Sequence, residues 1–449
     1  MTSVTESILM SKETKERWSF SIPSINRSKL LLHHGVKSCK LKLPETTGQS
    51  ATFFIEPELA QMLSLPTFKT EYRVRHTEFG QLFFGPIVGI FINEHWLQRL
   101  LSRKNMPICS LYTEVLERNQ GLAVFFSLER ILWDRGEVIG VVRDTSQPVK
   151  VWKEHVLPIP TVIYDRCFGL QGRVGGMNLR KKCDSYGRNI KVINALPKLG
   201  KIEIYKICSQ NDLLREHLPR WDIFHPETVA FLLEKYPEAY IKPDRLSRGK
   251  GVTKVTHTPD GYLVEQRRRS VNYKQLCVTA DEVLNRIAYY LKDYPMVIQE
   301  TIPLQQYKGR PFDFRLLLQK DGSGQWKQTG IAARICGEGS IISGPRSGGE
   351  VSTYEEVMKN LPGEQRDKIA LSLLNLAKEI AQTIEEQIGL YAELGFDLGV
   401  DIHGYIWVIE VNGKPLKVSI ERLHNKTITH LAYERPIEYA IYLAGFGGV

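Results

Sequence analysis

Phe396-Asp397-Leu398-Gly399-Val400-Asp401, then Ile402-His403-Gly404, then Tyr405-Ile406-Trp407-Val408-Ile409-Glu410-Val411-Asn412 reads as two apolar strands carrying oxygen ligands across a tight turn. If His403-Gly404 form a two-residue hairpin loop, Ile402 pairs with Tyr405, and counting back along both strands sets Asp397 opposite Glu410. Side chains alternate between the two faces of a strand, so Asn412 and Asp401 join that same face. Two carboxylates about 4 Å apart repel by roughly 4 kcal/mol at an effective dielectric of about 20, so such a face needs a cation or abundant water. The donors are oxygens, with no cysteine or histidine clearly among them, which favours Mg²⁺ or Mn²⁺ over zinc. A hairpin with a merely solvated polar edge would carry the same residues.

Upstream, Ser247-Arg248-Gly249-Lys250-Gly251-Val252 joins two strand patterns just after a strand ending in Lys242-Pro243. Glycines let backbone N–H groups approach phosphate oxygens closely, while Arg248 and Lys250 offset negative charge. The Gly-x-x-x-x-Gly-Lys-Ser/Thr form is absent, and a glycine turn flanked by basic residues also occurs on ordinary surfaces. In Phe312-Asp313-Phe314-Arg315-Leu316 and Gly330-Ile331-Ala332-Ala333-Arg334-Ile335-Cys336, guanidinium groups stand out of apolar strands. They are costly to bury unpaired. Either Asp313 or Glu300 pairs with them, or they bind a transferring phosphoryl group, which a planar guanidinium grips with two hydrogen bonds.

The 449 residues, 42% hydrophobic and 24% charged, are enough for several packed domains of ordinary composition. The amino end lacks a basic start followed by an apolar stretch, and no run approaches the ~18 apolar residues of a membrane span, which reads as a soluble cytoplasmic protein with no membrane partner. Seven scattered cysteines indicate neither a zinc knuckle nor a disulfide scaffold. A net charge of +10 raises anionic partners, from nucleic acid to phosphorylated small molecules. The basic runs Arg180-Lys181-Lys182 and Arg267-Arg268-Arg269 are short, accompany no nucleic-acid-binding signature, and read as solvated faces.

Residues 1–27 read as a polar arm, and residues 1–80 together as a β-rich extension. Strand and helix patterns alternate through 81–197, suggesting an open parallel α/β sheet, with the glycine-rich 169–176 as a loop. From about 198 the pattern changes to α+β. A helix is expected near 210–218, strands at 239–243, 252–256, 261–266 and 295–300, and a helix at 280–291. Strands at 311–319 and 325–336 and a long helix at 365–388 precede the hairpin.

The order Lys242, glycine loop, Gln299-Glu300, Asp313-x-Arg315, Arg334, Asp397, Glu410-x-Asn412 resembles the ATP-grasp superfamily. Phe125-Phe126-Ser127, Trp152, Leu157-Pro158-Ile159-Pro160, Ile163-Tyr164-Asp165-Arg166 and Arg435-Pro436-Ile437-Glu438-Tyr439-Ala440 look like its YheC/YheD branch, described as endospore coat-associated. That resemblance implies two α+β subdomains around a nucleotide, at about 198–303 and 304–449, preceded by the open α/β region. It implies ATP with Mg²⁺ or Mn²⁺ and an acyl-phosphate ligation of a carboxylate to an amine or thiol, with sporulation or the spore coat as setting and coat proteins as partners. Non-catalytic nucleotide binding in the coat is the alternative; nucleic acid binding rests on charge alone. By the same resemblance, Lys242, Arg248, Gly249 and Gly251 serve the phosphates, and Gln299, Glu300, Thr301 and Ile302 the adenine. Asp397, Glu410 and Asn412 hold the metal; Arg315 and Arg334 are the catalytic arginines. The second phosphate lysine falls on Lys206 or Lys201, and Gly200-Lys201 stands where the branch more commonly has Asp-Lys.

Overall fold

The computed structural model describes residues 8–14, 17–22, 29–42, 51–66, 68–69, 71–77, 79–102, 106–144, 151–187, 189–194, 199–246, 249–268, 271–291, 294–344 and 348–447. The amino-terminal part is a sheet in the order 37–42, 29–34, 81–85, 71–76, 8–14, 17–22, 51–55. Strands Ile8–Thr14 and Arg17–Ile22 replace the polar arm expected there. Their alternation is weak in isolation, and cross-strand pairing with each other and with Glu71–His76 and Ala51–Ile55 completes them.

The next sheet is built on β1 (Ile87–Phe91), β2 (Leu122–Phe126), β3 (Val162–Asp165) and β4 (Lys191–Ile193), in the order β2-β1-β3-β4, all parallel. Every residue of β1 and β2 is buried, as parallel strands covered on both faces require. Beyond β2 the sheet continues antiparallel through Glu137–Asp144, Ile131–Leu132 and Val151–Pro158, so it is mixed rather than wholly parallel. The short links between those strands cannot carry the crossover that parallel pairing needs. The glycine-rich stretch expected to be a loop instead opens helix α1 (Gly169–Tyr186). Glycine lowers helix propensity, but Leu179 and Cys183, one turn apart, are buried in the core and tertiary packing prevails.

A smaller α+β unit follows. Helix α2 (Lys201–Ser209) leads through the short helix Asp212–Glu216, which is all that forms of the helix expected near 210–218. Strands β5 (Glu238–Pro243) and β6 (Met296–Glu300) lie inside an antiparallel sheet ordered 221–224, β6, β5, 253–258, 261–268, 271–277. The larger unit consists of β7 (Arg310–Lys320), β8 (Trp326–Ile335), helix α3 (Gly363–Gln387), β9 (Glu393–Val400), β10 (Ile406–Asn412) and helix α4 (Lys426–Leu443). Its sheet runs Glu350–Ser352, β8, β7, β9, β10.

Phe312, Phe314, Leu316 and Leu318 of β7 and Leu394, Phe396, Leu398 and Val400 of β9 share a core with Leu373, Ala377, Ile380 and Ile384 of α3. Burying each large side chain contributes about 1.5–3 kcal/mol, so the face packed on α3 is fixed. The odd-numbered residues, Asp313, Arg315, Asp397 and their neighbours, are thereby forced onto the opposite face. Helix α4 closes the assembly from the other side, where Tyr433, Ile437, Ala440 and Ile441 join Val88, Ile90 and Tyr164 in one continuous core.

Candidate functional site

Asp397 stands opposite Glu410, as the count from the turn requires, but the hairpin reaches that register by another route. Val400 pairs with Ile406, and the Asp401 N–H donates to the Tyr405 carbonyl at 2.9 Å, so the loop is one residue longer than a two-residue turn. A bulge then shifts the register between Asp397 and Leu398, leaving Ile409 as the extra residue and restoring the pairing. Asp401 does not join the ligand face. Its Oδ1 accepts from the His403 and Tyr405 N–H groups, both at 2.9 Å, and its Oδ2 from Trp407 Nε1 at 3.0 Å, which makes it the cap of the turn.

Across β8, β7, β9 and β10 the polar side chains form one row set by register: Arg334 faces Asp313, Arg315 faces Asp397, and Asp397 faces Glu410. Arg334 grips Asp313 through Nε at 2.6 Å and Nη2 at 2.7 Å, and its Nη2 lies 2.9 Å from Asp397 Oδ2. Arg315 grips Asp397 through Nε at 2.5 Å and Nη2 at 3.0 Å. The Ser343 hydroxyl also donates to Asp313. Burial works against the Asp397 charge, but Arg315 and then Arg334 hold its carboxyl below the usual range. Burial likewise opposes the Arg334 charge, which Asp313 and Asp397 outweigh. Neither Arg315 nor Arg334 pairs with Glu300, which is held on the smaller unit by the Arg220 N–H and Nε, both at 2.7 Å.

Facing this row from the smaller unit is Lys242, at the end of β5. It is 8% exposed, its ammonium lies 5.1 Å from the centre of the Tyr240 ring, and among the described residues no hydrogen-bond acceptor reaches it. Burial and then the neighbouring Lys201 charge pull its pKa down to about 7, against the attraction of Glu410, Asp313 and Asp397. Of the two candidates for a second lysine, the structure brings Lys201 beside Lys242 and Glu410 and leaves Lys206 away from them. Lys206 is exposed, since five residues along a helix turn a side chain about 140° away. Lys201 is buried, with Nζ 3.5 Å from Glu410 Oε1 and 3.3–3.5 Å from the carbonyls of Pro243, Asp244 and Leu246. The acidic cap absent at position 200 is supplied by Asp244, whose Oδ1 accepts the Ile202 N–H at 2.8 Å at the positive end of α2.

Gly249 and Gly251 have φ of +66° and +73°, a left-handed conformation that glycine adopts without strain, and Gly249 lies against Ile342. Arg248 lies outside the described residues. The Gln299 side chain is turned to α2, with Oε1 2.9 Å from the Tyr205 hydroxyl, which is also 3.1 Å from the Ile409 carbonyl. The Thr301 N–H donates to the Glu238 carbonyl at 3.0 Å, while its hydroxyl is buried without a partner. Ile302 is half-buried beside it.

Sequence reasoning missed Ile409 and Leu304, which meet over Gly399: a Cβ there would come within 2.5 Å of Leu304 and 3.3 Å of Ile409. The glycine two residues after Asp397 was the available signal, because it leaves an apolar wall beside the charged row. Tyr240, whose hydroxyl donates to the Ile341 carbonyl at 3.1 Å, carries no comparable signal.

Three carboxylates (Asp313, Asp397, Glu410) thus face four cationic side chains (Arg315, Arg334, Lys201, Lys242), so the cleft is short of negative charge. An orphaned Thr301 hydroxyl, the adjacent buried lysines Lys242 and Lys201 and the left-handed glycines fit a nucleotide. The metal fit rests on donor chemistry. Glu410 and Asn412 are half-buried oxygen donors on the same face, and Asn412 turns its amide nitrogen toward the Gly395 carbonyl at 3.5 Å, leaving Oδ1 forward. Asp397 already holds two guanidiniums, and among the described residues no group of three or more His, Cys, Asp and Glu is arranged to hold a metal. The set suits a hard divalent cation once the guanidiniums loosen their hold on Asp397.

The sequence model described as YheC/D-like ATP-grasp matches residues 189–443. The endospore coat-associated protein YheD of Bacillus subtilis (strain 168) is 26% identical over 446 residues, spanning 96% of this chain and 95% of that one. Endospore coat-associated protein YheC of the same organism is 23% identical over 315 residues, 65% of this chain and 80% of that one. Among solved structures, the VanG D-Ala:D-Ser ligase of Enterococcus faecalis aligns with TM-score 0.47 and 15% identity over 80% of this chain and 99% of that one.

Proposed function

The chain belongs to the YheC/D-like ATP-grasp family, and from that membership we propose an ATP- and Mg²⁺-dependent ligase that joins a carboxylate to an amine or thiol through an acyl phosphate. The names of its relatives support a setting in sporulation or the spore coat. The observation that carries the reading is Lys242, a buried lysine beside a second lysine, with burial and the Lys201 charge both acting against its own charge. A polyphosphate is the ligand that such a pair lacks.

In this reading Lys242 and Lys201 bind phosphate oxygens, and the N–H groups around Gly249 and Gly251 cradle them. Arg315 and Arg334 give up part of their grip on Asp397 to stabilise charge on the transferring phosphoryl group. Thr301, Ile409 and Leu304 bound the base. Glu410, Asn412 and Asp397 would hold the divalent cation, which when bound neutralises charge between phosphates. The protein's share is positioning, charge stabilisation and exclusion of water.

The test is incubation with Mg²⁺, ATP, a panel of carboxylates and hydroxylamine as a general nucleophile. Hydroxamate with ADP and phosphate is the expected product set; AMP and pyrophosphate would overturn the reading. A non-catalytic nucleotide-binding coat protein is the second reading, favoured by the double engagement of Asp397. It requires ATP binding without ADP release under any of these conditions.

A further inference from the structure

The loop after β10, which carries Asn412 at its start, is held from outside the ATP-grasp region. Lys414 Nζ donates to Asp165 Oδ2 at 2.5 Å and lies 3.3 Å from the Cys167 carbonyl. Asp165 sits at the carboxyl end of β3, wholly buried, with its Oδ1 accepting the Cys167 N–H at 2.9 Å. The Gly413 carbonyl accepts from Asn194 Nδ2 at 2.9 Å, and Asn194 Oδ1 takes the Ala392 N–H at 2.8 Å, next to the start of β9. Further along the loop, Lys417 Nζ is 2.8 Å from Glu393 Oε2, and Glu393 Oε1 accepts from Arg166 Nη1 and the Tyr164 hydroxyl, both at 2.6 Å. Both strand ends of the hairpin are therefore tied to the α/β region through β3 and the residue after β4.

A buried ion pair is weak evidence for stability, since desolvating both partners offsets their attraction. The pair does fix geometry, at the point where β10 ends and the chain loses its strand partner. Resting on the reading of the site given above, we propose that Asp165 is a positioning residue for the cation site. Through Lys414, and with Asn194 on Gly413, it holds the loop so that Asn412 meets Glu410 and Asp397 at the divalent cation. The α/β region is then part of the Mg²⁺ requirement and more than a neighbouring domain.

The experiment uses the full chain and the double variant Asp165→Asn/Lys414→Met, which removes both charges and leaves no buried ion unpaired. Asn194→Gly, which suits the φ of +56° and removes the hold on Gly413 without burying a charge, serves as the second variant should the double variant not fold. Two readouts are taken: the Mg²⁺ concentration giving half-maximal thermal stabilisation by ATP, and the Mn²⁺ paramagnetic resonance spectrum with a non-hydrolysable ATP analogue. Loss of a partner that orients a metal ligand raises the cation requirement by about 10–100-fold, and that rise is expected with an altered Mn²⁺ spectrum while metal-free ATP binding stays as in the parent. A purely structural clasp would lower the melting temperature and leave the requirement and the spectrum unmoved, which overturns the proposal. A parent protein showing no Mg²⁺-dependent stabilisation by ATP overturns the reading of the site, and this inference with it.

Discussion

At Lys242 the local charge balance makes a prediction about pH. The charged lysine binds phosphate, and in the free protein burial and Lys201 bring its pKa to about 7. ATP favours the protonated form, so the bound pKa is higher. Between the two values, binding takes up one proton and affinity falls by about tenfold per pH unit, or ~1.4 kcal/mol. Without nucleotide the sign reverses: above pH 7 the unfolded chain binds more protons at this lysine than the folded one does, so its contribution to stability grows as pH rises toward the unfolded value. Calorimetric titration of ATP at pH 7, 8 and 9 should show the loss, and Lys242→Arg, always protonated, should flatten it. Glu410→Gln tests the row of acids. The Lys201 contact there is long, at 3.5 Å, so melting without nucleotide should shift by no more than the equivalent of about 1 kcal/mol, whereas the Mg²⁺-dependent stabilisation by ATP should disappear. Its survival would remove Glu410 from the cation site.

Between the strands, the hairpin shows what a sequence carries and what it hides. The Asp397–Glu410 pairing was legible because strand alternation is strict and the α3 core fixes which face points inward. The loop length and the Ile409 bulge were not, because each shifts register by one residue and the two shifts cancel. Long periodic segments such as α3, β7 and β8 were readable for the same reason that they are stable, a continuous apolar face. The strands Ile8–Thr14 and Arg17–Ile22 and the glycine-rich opening of α1 were not, since each is completed by partners outside its own segment. Lys201 and Lys206 could be separated only by seeing which face of α2 meets β10. The glycine loop yields its own prediction. Moving a non-glycine residue into the left-handed region costs about 1–2 kcal/mol, and a Cβ on Gly249 would also press on Ile342. Gly249→Ala should therefore lower the stability of the nucleotide-free protein by about 1–2 kcal/mol in denaturant unfolding and, by displacing the loop, weaken ATP binding in calorimetry.

Over the whole molecule, the α/β region and the larger unit share a core through α4, and the smaller unit brings Lys242 toward the charged row of the larger one. Among the described residues no helix is long and apolar enough to cross a membrane. The net charge of +10 is partly placed by this architecture: the site holds buried cations in excess, while Lys181 and Lys182 lie exposed on α1. The side chains of Arg267, Arg268 and Arg269 are outside the described residues. Binding to random duplex or single strands should accordingly be weak at physiological salt and fall steeply as salt is raised. Submicromolar affinity that ATP does not compete would give the basic runs a role of their own. The central claim is that the cleft between the two units binds Mg²⁺-ATP through Lys242. Calorimetric titration of Mg²⁺-ATP into the parent and into Lys242→Ala measures it directly. Saturable binding by the parent and affinity at least about tenfold weaker in a folded Lys242→Ala, a loss of ~1.4 kcal/mol, is the predicted result, and equal affinity in the two proteins would contradict the claim.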